Sequence, residues 1–99
     1  MRPHCTSTQA ALLRAVTAML AEAGEAAPVV TLLTATDWAS VTFDGRRETM
    51  ALAVPPGVAR RLVAELPDRE IPIPGWIIAD LAVAARPGGV SLEMLVVRD

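Results

Sequence analysis

Two segments of the chain repeat apolar residues every three or four positions, which is the spacing of the buried face of an α-helix. In the first segment, Thr6 and Gln9 have the spacing of a capping box and Gly24 follows the last apolar residue, so we expect a helix over residues 7–23. The second segment lies between prolines and predicts a shorter helix over residues 57–66. Because each apolar stripe covers only one side, each helix must pack against another element.

The residues after the first helix have the composition of β-strands. Residues 29–35 form a β-branched, nearly continuous apolar run, and residues 38–43 alternate between apolar and polar side chains. Asp44-Gly45 follows at once, which predicts a two-residue type I′ turn and a return strand over residues 47–54. The pattern leaves open whether residues 29–43 form one bent strand or two.

A second hairpin is predicted after the second helix. We expect strands over residues 76–86 and 90–98, joined by a tight turn at Gly88-Gly89. In this register one face of the hairpin carries Leu81, Val83, Ala85, Leu92, Met94 and Val96. The opposite face carries Asp80, Ala82, Ala84, Glu93, Leu95 and Val97. That second face is less polar than a face exposed to solvent is expected to be.

Together these elements predict an α+β fold in a single domain over residues 1–99, with residues 1–6 as a flexible tail. The expected architecture is a single-layer, mostly antiparallel sheet of four or five strands, with two helices packed on one face. The expected order is α-β-β-(β)-α-β-β, and the succession of two helix-plus-hairpin units suggests an internal repeat. Two helices on one face leave the other face of the sheet uncovered.

Composition narrows the class of function. A formal net charge of −2 argues against a nucleic-acid-binding protein, which usually carries an excess of basic residues. The uncharged stretch at residues 26–36 is too short to span a membrane, and no signal-peptide pattern is present. Since the nine basic side chains are all arginine, as is common in GC-rich bacterial genomes, we expect a cytoplasmic bacterial protein. The single cysteine, Cys5, excludes an intrachain disulfide, and with only His4 beside it no metal site is expected.

Two pairs of residues near predicted turns are candidates for a ligand site or an interface. Trp38 and Trp76 each lie at a predicted strand start, where tryptophan lines a pocket or an interface, or closes the end of a core. Arg46 and Arg47 lie at the tip of the first predicted hairpin and have the chemistry to bind an anion. Acidic neighbours such as Glu48 offset their charge, so an ordinary charged surface is the competing interpretation.

Asp80 and Glu93 form the third candidate pair, because they share a face of the second hairpin. Paired carboxylates perform acid–base catalysis or bind cations. In the predicted register Asp80 lies opposite Val97 and Glu93 opposite Ala84, so the two carboxylates are several residues apart along the strands. The alternative is that they mark the solvated margins of the sheet.

No catalytic or cofactor-binding motif is present. The chain has no phosphate-binding loop, no paired cysteines and no metalloprotease motif, and we expect no cofactor. The leading hypothesis is a non-catalytic self-association or protein-interaction module that forms a homodimer through the second hairpin's face or an edge strand, without nucleic acid or membrane partners. One alternative is a small-molecule-binding domain with an apolar pocket near the tryptophans. The least favoured alternative is an enzyme with carboxylates and arginine at a dimer seam.

Overall fold

The computed structural model describes residues 5–99, which form two helices and one four-stranded antiparallel sheet. The elements are α1 (Ser7–Glu22), β1 (Val29–Ala39), β2 (Asp44–Ala53), α2 (Pro56–Glu65), β3 (Trp76–Arg86) and β4 (Gly89–Arg98), with a short 3₁₀ turn at Leu66–Asp68. The strand order across the sheet is β1-β2-β4-β3. This confirms the predicted α+β class, and it settles the order as α-β-β-α-β-β, with one strand between α1 and the first turn.

Helix α1 begins where its capping box predicts. The backbone N–H of Gln9 donates to the Thr6 hydroxyl at 3.0 Å, and the Gln9 side-chain oxygen accepts from the Thr6 backbone N–H at 3.0 Å. Thr6 therefore belongs to the folded domain, and its assignment to a flexible tail was wrong. Residues 1–4 of that predicted tail lie outside the described residues.

The first hairpin differs from the prediction. Asp44 and Gly45 are not a turn: β2 begins at Asp44, and Gly45 pairs with Trp38 inside the ladder. The turn lies at residues 40–43, where the backbone N–H of Ser40 donates to the Phe43 carbonyl at 2.7 Å and the Phe43 N–H donates to the Ser40 hydroxyl at 3.1 Å. Phe43 is consequently exposed and does not join the inner face of the sheet.

The second hairpin keeps the predicted faces with a small change of register. The turn lies at residues 87–88, so Asp80 pairs with Leu95 and Glu93 with Ala82. A shift of two residues leaves every side chain on its original face because the side-chain period of a strand is two. Leu81 and Met94 therefore share the inner face, as expected.

The two αββ units are arranged as an internal repeat. Strands β2 and β4 pair about Thr49 and Glu93, so an approximate twofold axis normal to the sheet at this pair relates β2 to β4 and β1 to β3. Both outer strands carry a bulge at the related position, at Thr31 in β1 and at Ala79 in β3. The two units also agree in a glycine, because the axis relates Gly45 of β2 to Gly89 of β4.

One hydrophobic core lies between the helices and one face of the sheet. Helix α2 packs on β3 and β4, and Gln9 of α1 bonds to the backbone of β1. The side chains at the centre of this core are fully buried, and they include Leu12, Val16, Met19, Leu62, Met50, Leu52, Leu92 and Met94. Truncating one of the buried leucines to alanine is expected to cost about 2–5 kcal/mol, because such a change leaves a cavity.

Candidate functional site

The face of the sheet opposite the helices, here named the open face, is covered by no element among residues 5–99. All four strands contribute to it. From one end to the other, its central rows are Thr36-Arg47-Leu95-Asp80, Thr34-Thr49-Glu93-Ala82 and Leu32-Ala51-Ser91-Ala84. Most of these side chains are small or apolar, and Leu32 is 48 % exposed.

Three charged candidates from the sequence lie on the open face. Arg47 and Asp80 flank Leu95 in one row, and Glu93 lies in the next row. Within the part of the chain that the structure describes, none of the three forms an ion pair. Glu93 lies at the centre of the sheet beside Thr49, so the prediction that it marks a solvated margin was wrong.

The inner face ends in a group of polar residues, here named the polar end. Glu48 of β2 is 2 % exposed, and its two carboxylate oxygens accept hydrogen bonds from the hydroxyls of Thr6 and Thr8 at the start of α1. The positive end of the α1 dipole also favours a negative charge at this point. The Thr6 hydroxyl therefore both caps α1 and donates to the buried carboxylate of Glu48.

Arg46 lies beside Glu48 at the polar end. It is inside β2, and its expected place at a hairpin tip was wrong, as was the expectation that it acts together with Arg47, which lies on the open face. Its guanidinium lies 3.4 Å from Asp37 Oδ1 and 3.9 Å from Glu48 Oε2, and its side chain is 17 % exposed. The contact with Asp37 lacks hydrogen-bond geometry, so the buried Nε–H of Arg46 has no acceptor in the described chain.

Trp76 brings a second arginine to the polar end. The guanidinium carbons of Arg46 and Arg98 lie 4.6 and 4.8 Å from the centre of the Trp76 ring, within the range of cation–π attraction. Trp76 starts β3, as predicted. Arg98 forms no ion pair with any residue between 5 and 99.

Trp38 lies at the end of β1 and not at a strand start, which corrects the prediction. Its indole packs against the backbone of Gly45, which pairs with it in the ladder. The indole Nε1–H is buried and has no hydrogen-bond acceptor among the described residues. A buried tryptophan N–H normally has a partner, so this donor requires an explanation.

A cleft of about 680 Å³ opens at the polar end. Its lining includes Asp37, Trp38, Asp44, Arg46, Trp76 and Arg98. The structure therefore brings Arg46, Trp76 and Arg98 together at this cleft. Trp38 also borders the cleft, but its indole lies over Gly45 on the open face, where it shares a shallow pocket with Arg47 and Leu95. A ligand pocket near the tryptophans therefore stays a prediction, and the cleft at the polar end has a mixed lining of charged and apolar residues.

Sequence reasoning missed the role of Glu48, which was interpreted as a surface charge. One signal was available: in the predicted return strand, Glu48 has the same parity as the apolar residues Met50 and Leu52. The hydroxyls that accompany Glu48 belong to a helix start, and their approach to β2 depends on tertiary packing.

Two further observations limit the chemistry of the chain. No group of three or more His, Cys, Asp or Glu side chains among residues 5–99 is placed to hold a metal ion. Neither α1 nor α2 has the length and apolar character needed to cross a bilayer.

Comparisons with protein-family models, with curated proteins and with solved structures found no match to the chain.

Proposed function

We propose that this chain is a self-association module that forms a homodimer through the open face. The observation that supports the proposal is a complete four-stranded surface, low in charge and rich in small residues, that no element of the described chain covers. A sheet in water is normally covered or polar on its second face. A second copy of the same face would remove this surface from solvent.

The size of the open face suits an interface between two copies. Four strands at about 4.8 Å spacing and ten residues at about 3.3 Å rise give roughly 600 Å² for each copy. Two copies would then bury roughly 1,200 Å², which is the lower end of the range for specific interfaces. An interface of this size is consistent with a reversible dimer.

The side chains of the open face are complementary to themselves. Arg47 and Arg86 carry positive charge, while Asp80 and Glu93 carry negative charge, so the face has no net charge. In an isologous dimer each patch meets its own copy, and an arginine of one chain then finds a carboxylate of the other. The alanines between them allow two sheets to approach to about 10 Å.

The outer strands are less suitable for association than the open face. β1 carries a bulge at Thr31 and β3 carries one at Ala79, and both interrupt the regular ladder that edge-to-edge pairing requires. We therefore assign the dimer contact to the open face and not to an edge strand.

A matched pair of alanine-to-lysine variants tests this assignment. Ala84 lies on the open face and Ala64 lies on α2, and both side chains are exposed in the single chain. Ala84→Lys should shift sedimentation equilibrium toward the monomer without lowering the melting temperature of that monomer, because it places a charge in the interface. Ala64→Lys should leave the dimer unchanged. Equal effects of the two variants on association would contradict the proposal.

A further inference from the structure

The internal repeat supplies a comparison for the polar end within one chain. Three charged residues of the first unit have the strand parity of the inner face at the polar end. The twofold axis relates each of them to an apolar residue of the second unit. The related pairs are Asp37 and Ala85, Arg46 and Val90, and Glu48 and Leu92. The second unit folds with apolar side chains at all three positions, so the αββ fold itself does not require charges there.

Two of these charges are buried, since Glu48 is 2 % exposed and the Arg46 side chain 17 % exposed, whereas Asp37 is exposed. Burying a charge is unfavourable unless it is fully paired. Replacing a buried ion pair with apolar residues is often neutral or stabilising, so stability does not account for the polar end. Ligand sites are typically clefts in which a few polar groups converge. The polar end lines the cleft of about 680 Å³, which is within the size range of small-molecule sites.

Two cationic groups on this cleft have incomplete pairing. The buried Arg46 Nε–H has no hydrogen-bond acceptor in the described chain. Arg98, on the same cleft, forms no ion pair within residues 5–99. Buried donors without partners cost free energy, and a ligand with acceptor oxygens would satisfy them.

We propose that this cleft binds a small organic monocarboxylate with a flat apolar body. A carboxylate has two oxygens in the geometry that a guanidinium binds, and Arg46 and Arg98 supply that group. The Trp76 ring, which lies beside both guanidiniums, supplies flat apolar surface for the body of the ligand. Asp37 and Asp44 also line the cleft, and their negative charge disfavours a dianion such as phosphate.

The site is separate from the proposed dimer contact. Arg46, Arg98 and Trp76, which would hold the ligand, lie on the helix-covered side of the sheet, whereas the proposed contact uses the opposite side, on which the Trp38 indole lies. Ligand binding and dimerisation are therefore expected to succeed or fail independently.

Titration of the intrinsic tryptophan fluorescence with benzoate tests the proposal, because the Trp76 ring lies on the cleft beside both arginines. At fixed protein concentration, benzoate should change the emission with saturation at millimolar concentration or below. Benzamide, which has the same flat body without the charge, should bind about tenfold more weakly or worse, as expected for loss of a charge-assisted hydrogen bond. Inorganic phosphate should not saturate in the same range.

Matched arginine variants place the binding at this cleft. Arg98→Gln should weaken benzoate binding about tenfold, whereas Arg60→Gln on the exposed side of α2 should leave it unchanged. Isothermal titration of the same variants gives a readout that does not depend on the tryptophans. No saturable benzoate signal, equal binding of benzamide, tighter binding of phosphate, or an Arg98→Gln variant with unchanged affinity would each overturn the proposal.

Discussion

The indole ring of Trp38 lies directly over Gly45, its partner on the neighbouring strand. A Cβ atom at Gly45 would come 2.6 Å from the Cε2 and Cζ2 atoms of that ring and 2.8 Å from the Val96 carbonyl oxygen. The φ angle of Gly45 is not positive, so glycine is required here for close approach and not for backbone conformation.

Gly45→Ala is therefore expected to destabilise the fold by about 1–3 kcal/mol, the usual cost of overpacking. Urea denaturation followed by circular dichroism measures the change. Gly57→Ala is the matched control, because its Cβ would meet nothing closer than Arg60 Nη2 at 3.8 Å within helix α2. That variant should be neutral or slightly stabilising, since alanine is favoured over glycine in a helix.

Gly89→Ala should cost more than Gly45→Ala. The twofold axis relates the two glycines, but the atoms crowding Gly89 are backbone atoms: the Leu52 carbonyl group and, at 3.2 Å, the Ala53 Cα. A paired backbone moves less readily than the end of an indole ring, so the strain is harder to relieve. Urea denaturation of both variants measures the difference. A urea midpoint for Gly89→Ala equal to or above that of Gly45→Ala would contradict this prediction.

Glu48→Leu is expected to destabilise the protein by about 1–3 kcal/mol, because it removes the acceptor of the Thr6 and Thr8 hydroxyls and one of the two carboxylates beside Arg46. Adding Arg46→Val should recover part of that loss, since the double variant reproduces the apolar pair Val90 and Leu92 of the second unit. A double-mutant cycle in urea denaturation measures the coupling.

The exposed pair Arg61 and Glu65 on α2 is the control for that cycle. Their contact of 2.7 Å is shorter, yet both side chains are more than a third exposed, so a coupling of about 0.3–0.5 kcal/mol is expected. Strictly additive effects of Arg46→Val and Glu48→Leu would refute the interpretation of the polar end as a coupled buried cluster.

The sequence predicts most of the fold because local signals and tertiary structure agree over most of the chain. The capping box of Thr6 and Gln9 begins α1, and the alternation in the last hairpin identifies its two faces. The first hairpin was mispredicted because Asp44-Gly45 is a strong local turn signal. Its glycine instead makes a close cross-strand contact with Trp38 in the same hairpin, which the dipeptide alone does not reveal.

The candidate site was predictable only in part. The tryptophans were identified because the chain has only two, and Arg46 because it is charged beside a predicted turn. Arg98 was not identified as a site residue, since its meeting with Trp76 depends on the pairing of β3 with β4. Glu48 was missed because a carboxylate is normally exposed, and only the approach of Thr6 and Thr8 makes its burial tolerable.

The central claim is that two copies of the chain associate through the open face. Light scattering of the unmodified protein across a concentration series tests it most directly. The account predicts a mass that rises toward twice the chain mass of 10.4 kDa as concentration increases through the micromolar range. A mass of 10.4 kDa at every concentration would contradict it and would show that the open face remains in contact with solvent.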